Sequence, residues 1–384
     1  MKILFIAVSN NPFVATQGSS QRSCLLLNAL TKVADVDVIS FCSTDEPSRN
    51  YTIIHQENWN NQCRDGRLSK FRRIMTPWAI NSVFNIDQHK QEVIDKAVNN
   101  NHYDYIAIRY IPSAIECGLW KYRNRLIIDI DDNPIERAKA DADAARSLRN
   151  KIYLRLYAQA LKIVVKNVMR FTRLTFVSNS SDANGNNSIL LPNVPYYTPQ
   201  CPLNVKNEVK GRMLFVGDLG YWVNQEGLSH FLSNVYSKIK LKIPNVELHI
   251  VGRIWDDKLK EEWESYEGVK VTGFVPSLIE EYQEAQLSVI PIYHGAGTCI
   301  KVVETMQMQK ACITTPVGFR GYDSVFIHNE DCIVAQTDEM FVSEIIDLLN
   351  DSDKRLKLAQ NAFLKQQRFY SKEKFNDIVI SSIS

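Results

Sequence analysis

One segment of this sequence joins a glycine-rich turn to a basic and then an acidic residue, the residue types that bind a phosphorylated sugar. An apolar run at 287–292 leads into Gly295-Ala296-Gly297-Thr298, and a helical pattern carrying Lys301 and Glu304 follows. An apolar strand pattern at 311–315 closes the unit. A glycine turn feeding a helix offers backbone N–H groups and the positive end of the helix dipole to an anion. Thr298 is placed to cap that helix. Lys301 adds a full positive charge about one turn in, and Glu304, three residues on, lies on the neighbouring part of the same face. The loop with Lys301 suits a diphosphate, and the Glu304 carboxylate can accept both hydroxyls of an attached ribose. An ordinary turn with a solvated Lys–Glu pair is the alternative, since short glycine motifs are common.

A second cluster lies in the first half. The stretch Leu126-Ile127-Ile128-Asp129-Ile130-Asp131-Asp132-Asn133-Pro134 gathers three carboxylates at the end of an apolar strand pattern. Open α/β sheets bind ligands at that end of their strands. Asp131 and Asp132 are the candidates to accept a proton from an acceptor hydroxyl or hydrogen-bond to it. A divalent ion among the oxygens is a further reading. So is helix capping by Asp132 or Asn133, with Arg109 or Arg137 as charge partner.

The elements that must position these groups read as alternating strands and helices. Apolar runs at 3–8, 36–41, 105–109, 126–130 and 174–177, then at 213–216, 247–251, 269–272, 287–292, 311–315 and 332–335, are separated by helix-length segments. That alternation predicts parallel α/β units. A chain of 384 residues is too long for one core. Pro195, Pro199 and Pro202 break the pattern between the halves. The expected fold is α/β, two Rossmann-like domains whose parallel sheets face each other across a cleft. The domains are an N-terminal acceptor domain over 1–197, a C-terminal donor domain over 198–365, and a closing helix over 366–384 that packs back on the first. Neither opening turn reads G-x-G-x-x-G, which argues against a dehydrogenase.

Bulk properties narrow the class. The formal net charge of +2 gives no case for a nucleic-acid partner. Eight cysteines without a Cys-x-x-Cys pair exclude the common zinc and redox motifs and fit reduced, cytoplasmic thiols. The apolar run at the N-terminus is too short for a signal sequence or a membrane span. Two basic stretches mix with apolar residues: Arg64, Arg67, Lys70, Arg72 and Arg73 before Trp78, and Arg149, Lys151, Arg155, Lys162, Lys166 and Arg170 among Leu, Ile, Val and Tyr. Such segments dock on anionic membrane surfaces at the inner face of a membrane. A solvated helix face is the alternative.

The stretch from Gly295 to Met306 resembles the donor-site signature of the retaining GT-B glycosyltransferases of the group 1 type, family 4. Further motifs follow the family's order: Leu214-Phe215-Val216-Gly217-Asp218-Leu219, then Val246-Glu247-Leu248-His249-Ile250-Val251-Gly252-Arg253. After them come Val271-Thr272-Gly273-Phe274-Val275-Pro276 and Thr315-Pro316-Val317-Gly318-Phe319-Arg320-Gly321, with Leu191-Pro192-Asn193 ending the first domain. The resemblance is dense over 190–325 and architectural before that. It implies a nucleotide-diphosphate-sugar donor on Gly217, Asp218, Arg253, Phe274, Val275, Gly295, Gly297, Thr298, Lys301 and Glu304. Lys301 and Arg253 would hold the diphosphate, Glu304 the ribose, and Phe274 and Val275 would border the base. A surface arginine and a core aromatic are the alternatives for Arg253 and Phe274. Gly18 would lie against the donor phosphates or the acceptor, with Arg22 on the same cleft-facing turn; simple helix capping by Ser19 or Ser20 is the alternative. Asp132, from the carboxylate cluster, is the further candidate to meet the acceptor, a carbohydrate or lipid-linked molecule. Many relatives carry a second glutamate eight positions before Glu304, where this chain has Ala296.

The expected activity is therefore sugar transfer with retained stereochemistry in surface polysaccharide or glycolipid synthesis. Lys301, Arg253, Asp131 and Asp132 carry the chemistry, with no metal and no cofactor required. A GT-B sugar-nucleotide epimerase and a non-catalytic nucleotide-sugar-binding subunit are the rival readings.

Overall fold

Parallel strands covered on both faces read as near-continuous apolar runs, and the runs found in the sequence become strands of that kind. In a computed structural model, which describes residues 1–15, 18–43, 50–59, 67–131, 133–183, 185, 187–197, 207–295 and 297–384, the chain divides into two compact units. One is Met1–Tyr196 with Lys372–Ser384, the other Tyr197–Ser371.

The first unit holds β1 (Lys2–Ala7), β2 (Asp35–Ser40), β3 (Thr52–Gln56), β4 (Tyr105–Arg109), β5 (Leu126–Asp131), β6 (Leu174–Val177) and β7 (Ser188–Leu190). They form one sheet in the order β3-β2-β1-β4-β5-β6-β7, with every pairing parallel. The second unit holds β8 (Arg212–Val216), β9 (Glu247–Val251), β10 (Val269–Gly273), β11 (Leu287–Ile290), β12 (Ala311–Thr314) and β13 (Ile333–Val334). Their order is β10-β9-β8-β11-β12-β13, again wholly parallel. Both are Rossmann-like sheets. Each has a point where the strand order reverses, between β1 and β4 and between β8 and β11, and ligands of such sheets bind beyond the carboxyl ends there.

Two strands were not visible in the sequence pattern, β3 and β7. Both are edge strands with partly exposed residues, so neither carries a continuous apolar run. The closing segment joins the first unit from Lys372 rather than from 366, because the helix Ser352–Phe369 still packs on the second unit's core through Leu358. The helix Lys372–Ile383 lies against the helix Gly18–Leu30. Its Phe375 ring faces the Arg22 guanidinium with 5.7 Å between guanidinium carbon and ring centroid. Among the described residues no helix is long and apolar enough to cross a membrane. None of the six described cysteines is in a disulfide.

Candidate active site

In the second unit, three neighbouring strands end on glycine or are followed by one, and the three backbones touch. Gly217 N donates to Val251 O at 2.9 Å, and Gly252 N donates to Gly273 O at 2.8 Å. A Cβ on Gly252 would lie 1.6 Å from the Gly217 carbonyl oxygen, so no side chain fits there. The reason for Gly217 is different. A Cβ at that position would lie 2.6 Å from Lys301 Cε. The lysine stem thus runs across the bare backbone at the end of β8, with its Nζ 5.7 Å from the Phe215 ring centroid.

Lys301 reaches that place from the helix Ile300–Gln307, whose N-cap is Cys299 with no side-chain cap bond. The expected cap, Thr298, therefore stands one residue too early, and Lys301 is the second residue of the helix rather than one turn in. A cation in the first turn opposes the helix dipole; an anion between the two relieves the conflict. Val302, Val303, Thr305 and Met306 face the core, while Lys301 and Glu304 share the partly buried side. Glu304 Oε1 accepts a 3.2 Å hydrogen bond from the hydroxyl of Tyr282, which lies on the helix Ile279–Glu284. Burial pushes the Glu304 carboxyl above its ordinary value, against the Tyr282 hydrogen bond and the Lys301 charge. Burial, then the Glu304 charge, lifts the Tyr282 phenol well above its own.

The glycine loop is fastened from outside. Arg320 Nη2 donates to the carbonyls of Gly295 at 2.8 Å and Gly297 at 3.1 Å, and the Tyr322 hydroxyl donates to that of Cys299 at 3.0 Å. These donors occupy the loop's carbonyl groups. Ala296, where relatives have glutamate, lies outside the described residues. Arg253 is partly buried at the end of β9, with its guanidinium carbon 5.9 Å from the exposed Trp255 ring. Phe274 is 67% exposed, which removes the core-aromatic alternative; Val275 beside it is partly buried. The exposed Asp218 turns its carboxylate onto Gly220 N at 2.9 Å and shapes the turn after β8. Among the described residues neither Lys301 nor Arg253 forms an ion pair with a carboxylate.

In the first unit the same edge looks different. Gly18 opens the helix that carries Arg22. Arg22 is 2% exposed and bidentate on Asp129, through Nε at 2.8 Å and Nη2 at 2.7 Å. Its Nη1 donates to Asn193 Oδ1 at 2.8 Å. Arg109 pairs with both carboxylates, Nε on Asp129 Oδ2 at 2.8 Å and Nη2 on Asp131 Oδ2 at 2.5 Å. Burial alone would raise the Asp129 carboxyl, but the Arg22 and Arg109 guanidiniums hold it below its ordinary value. They also supply the positive charge a divalent ion would bring, so the ion reading loses its basis at Asp129 and Asp131. Asp131 has φ 54°, and Tyr110, just past the end of β4 with its N–H on the Asp129 carbonyl, has φ 68°, backbone strain of the sort that concentrates at functional sites. Asn133 caps the helix Pro134–Ala144. Asp132 lies outside the described residues.

Tyr282 is a site neighbour that no motif contained, while Arg320 and Asn193 stood inside motifs without a role assigned to them. Nothing in a local pattern ties Tyr282 to a carboxylate 22 residues away; only the packing of two helices does.

With this geometry in hand, residues 210–351 match the profile of the glycosyl transferases group 1. That range contains every donor-side residue discussed above. A protein of Klebsiella pneumoniae described as an uncharacterized 44.6 kDa protein in the cps region is 25% identical over 295 residues, 73% of this chain and 74% of its own. Two solved structures align along nearly all of both chains. HepE of Anabaena, in complex with UDP and glucose, has a TM-score of 0.65 at 15% identity and covers 100% of this chain and 99% of its own. WaaG, a glycosyltransferase involved in lipopolysaccharide biosynthesis, has a TM-score of 0.65 at 14% identity and covers 98% and 99%. The fold is that of the GT-B class. With the group 1 domain in its second unit, the chain is a glycosyltransferase.

Proposed function

We propose that the second unit binds a nucleotide-diphosphate sugar and that the chain transfers the sugar, with retained configuration, to a hydroxyl of a carbohydrate or lipid-linked acceptor, as the family 4 enzymes do. The observation that carries this reading is Lys301, a buried-stem cation at a helix N-terminus, laid over Gly217 at the strand-order reversal and unmatched by a carboxylate among the described residues. Charge develops on the diphosphate as the sugar leaves, and donors fixed in advance at that point supply most of the transition-state stabilisation in such reactions. Lys301, Arg253 and the loop of Gly295, Gly297 and Thr298 fill that role, without a metal or other cofactor. Glu304, oriented by Tyr282, takes the ribose hydroxyls. Phe274 and Val275 border the base, and UDP bound by HepE favours uracil. Gly217 admits the donor closely, while Asp218 shapes its turn.

On the acceptor side, Asp131 and Asp132 are the proposed hydroxyl partners and Gly18 flanks them. Arg22 contributes by holding Asp129 and Asn193, since its guanidinium is committed inward. The part WaaG plays in lipopolysaccharide biosynthesis favours a surface polysaccharide or glycolipid product. Phe71, Met75, Trp78, Leu148, Ile152 and Leu156 are exposed near Arg72, Arg149, Lys151 and Arg155, which favours contact with an anionic membrane on its cytoplasmic face. The buried thiols outside disulfides fit that reducing side.

The test is thermal unfolding of the full chain with UDP-, GDP-, ADP- and CMP-sugars, because a ligand of the folded state raises its stability. A UDP-sugar raises the midpoint, and Lys301→Ala removes the shift while keeping the ligand-free midpoint. No shift with any of the four, or an unchanged shift in the variant, rejects the reading.

A further inference from the structure

Three further side chains of the first unit, none of them used above, converge on one point. His55 lies in β3 and Glu57 just beyond its end, two residues apart, a spacing that favours one face of an extended chain. His89 comes from the first turn of the helix Gln88–Asn100. The Nε2 atoms of both histidines lie against the same carboxylate oxygen, Glu57 Oε1, His55 at 3.0 Å and His89 at 2.8 Å. One ligand atom from each residue falls within 4.8 Å of the other two.

Hydrogen bonding accounts for only half of this arrangement. The His89–Glu57 contact is a hydrogen bond. His55 Nε2 is shielded from solvent and has no hydrogen-bond partner in spite of its nearness to Glu57. A shielded ring nitrogen beside a carboxylate oxygen is costly to leave unsatisfied, and a cation bound by both satisfies it. In a tetrahedral zinc site with bonds of roughly 2.0–2.2 Å, neighbouring ligand atoms stand about 3.3 Å apart. The two nitrogen–oxygen separations fall short of that by an amount that ordinary side-chain rotation covers.

The surroundings hold the imidazoles in place. The Trp59 ring lies 4.2 Å from the His89 ring, centroid to centroid, and its Nε1 donates to the N-cap residue Asp87 at 2.8 Å. The Phe41 ring stands 5.7 Å from that of His55. Aromatic walls on two sides fix the ring orientations that a metal site demands.

We propose that His55, Glu57 and His89 bind a divalent transition cation of the zinc type, tying the edge strand β3 to the N-terminus of the helix Gln88–Asn100. Two imidazoles and one carboxylate are a zinc donor set that leaves a fourth position for water. Magnesium and calcium prefer oxygen ligands throughout, so the two nitrogens select against them. β3 is paired on one side only, and a cation clip secures it where no further strand does. The inference is independent of the sugar-transfer reading.

The experiment titrates Zn2+ into the EDTA-stripped full chain by calorimetry and uses Co2+ as a visible-absorption probe. The expected result is one cation per chain, the absorption of a nitrogen–oxygen site, and a higher unfolding midpoint with Zn2+ than in EDTA. Glu57→Gln and His89→Gln each weaken binding about tenfold or more and abolish the midpoint rise, with unchanged far-UV dichroism in EDTA. Should His89→Gln fail to fold, Glu57→Gln and His55→Gln give the same reading. Equal affinity in wild type and variants overturns the proposal, as does a thiolate-type Co2+ spectrum that survives the substitutions, and as does no binding at all.

Discussion

The two units present the same sheet edge in opposite electrostatic states. In the first, Arg22 and Arg109 are matched by Asp129 and Asp131, and the four side chains are almost wholly buried. In the second, Lys301 and Arg253 have no carboxylate partner among the described residues, and Glu304 is engaged by a neutral phenol instead. A buried charge must be paired, so the first edge has used its charges on itself. The second has kept cations in reserve, the condition for binding an anion from outside. The same fold thus yields one edge whose charges are paired with each other and one whose cations, among the described residues, are not.

Four substitutions test that contrast, and the largest effect falls on the closed edge. Asp129→Ala leaves two buried guanidiniums short of a partner and lowers unfolding stability by about 3–5 kcal/mol, measured by urea denaturation. The sign with pH follows from the lowered carboxyl. Its contribution is complete above the unfolded value of about 3.9 and disappears as pH falls through the still lower folded one, so the variant loses that acid limb. A loss under 1 kcal/mol would make this edge as open as the other.

Lys301→Ala has the opposite profile. Stability changes by no more than about 0.5 kcal/mol, while the sugar-transfer rate falls about 100- to 1,000-fold. If unfolding stability drops as in Asp129→Ala, the lysine is structural and the contrast fails. Gly217→Ala sharpens the point, because its Cβ would meet Lys301 Cε at 2.6 Å. We expect about a tenfold loss in kcat/KM for the donor, and almost no further loss when the change is made on top of Lys301→Ala. Additive losses would separate the glycine from the lysine.

The smallest effect belongs to Tyr282→Phe. Removing one hydrogen bond worth about 0.5–1.5 kcal/mol raises the donor KM several-fold with kcat little changed. Burial already lifts the Glu304 carboxyl, and the Tyr282 hydroxyl holds it down. The variant therefore moves the acidic inflection of the donor KM profile to higher pH. An unmoved inflection means that Glu304 does not ionise in the binding step.

Much of the fold was readable because buried parallel strands are largely apolar, and the central strands of both sheets are, with Asp129, Asp131 and His249 among the exceptions. β3 and β7 escaped notice since an edge strand has one partner and tolerates polar residues. Within the site, the glycines, Lys301 and Glu304 were readable because one loop and one helix carry them all. The start of that helix was not. Thr298 is a good cap residue, yet the chain turns helical after Cys299, where the Tyr322 hydroxyl takes the Cys299 carbonyl and Arg320 those of Gly295 and Gly297.

The sequence alone determined most of the strands and where a glycine-rich turn meets a helix, because periodicity and local residue order act over a few residues. Only tertiary structure decided that Arg22 faces inward to Asp129, 107 positions away, while Lys301 lies over Gly217 with no carboxylate partner among the described residues. Whether a charge is neutralised or kept for a ligand depends on which distant side chains folding brings within a few ångströms. No local pattern encodes that.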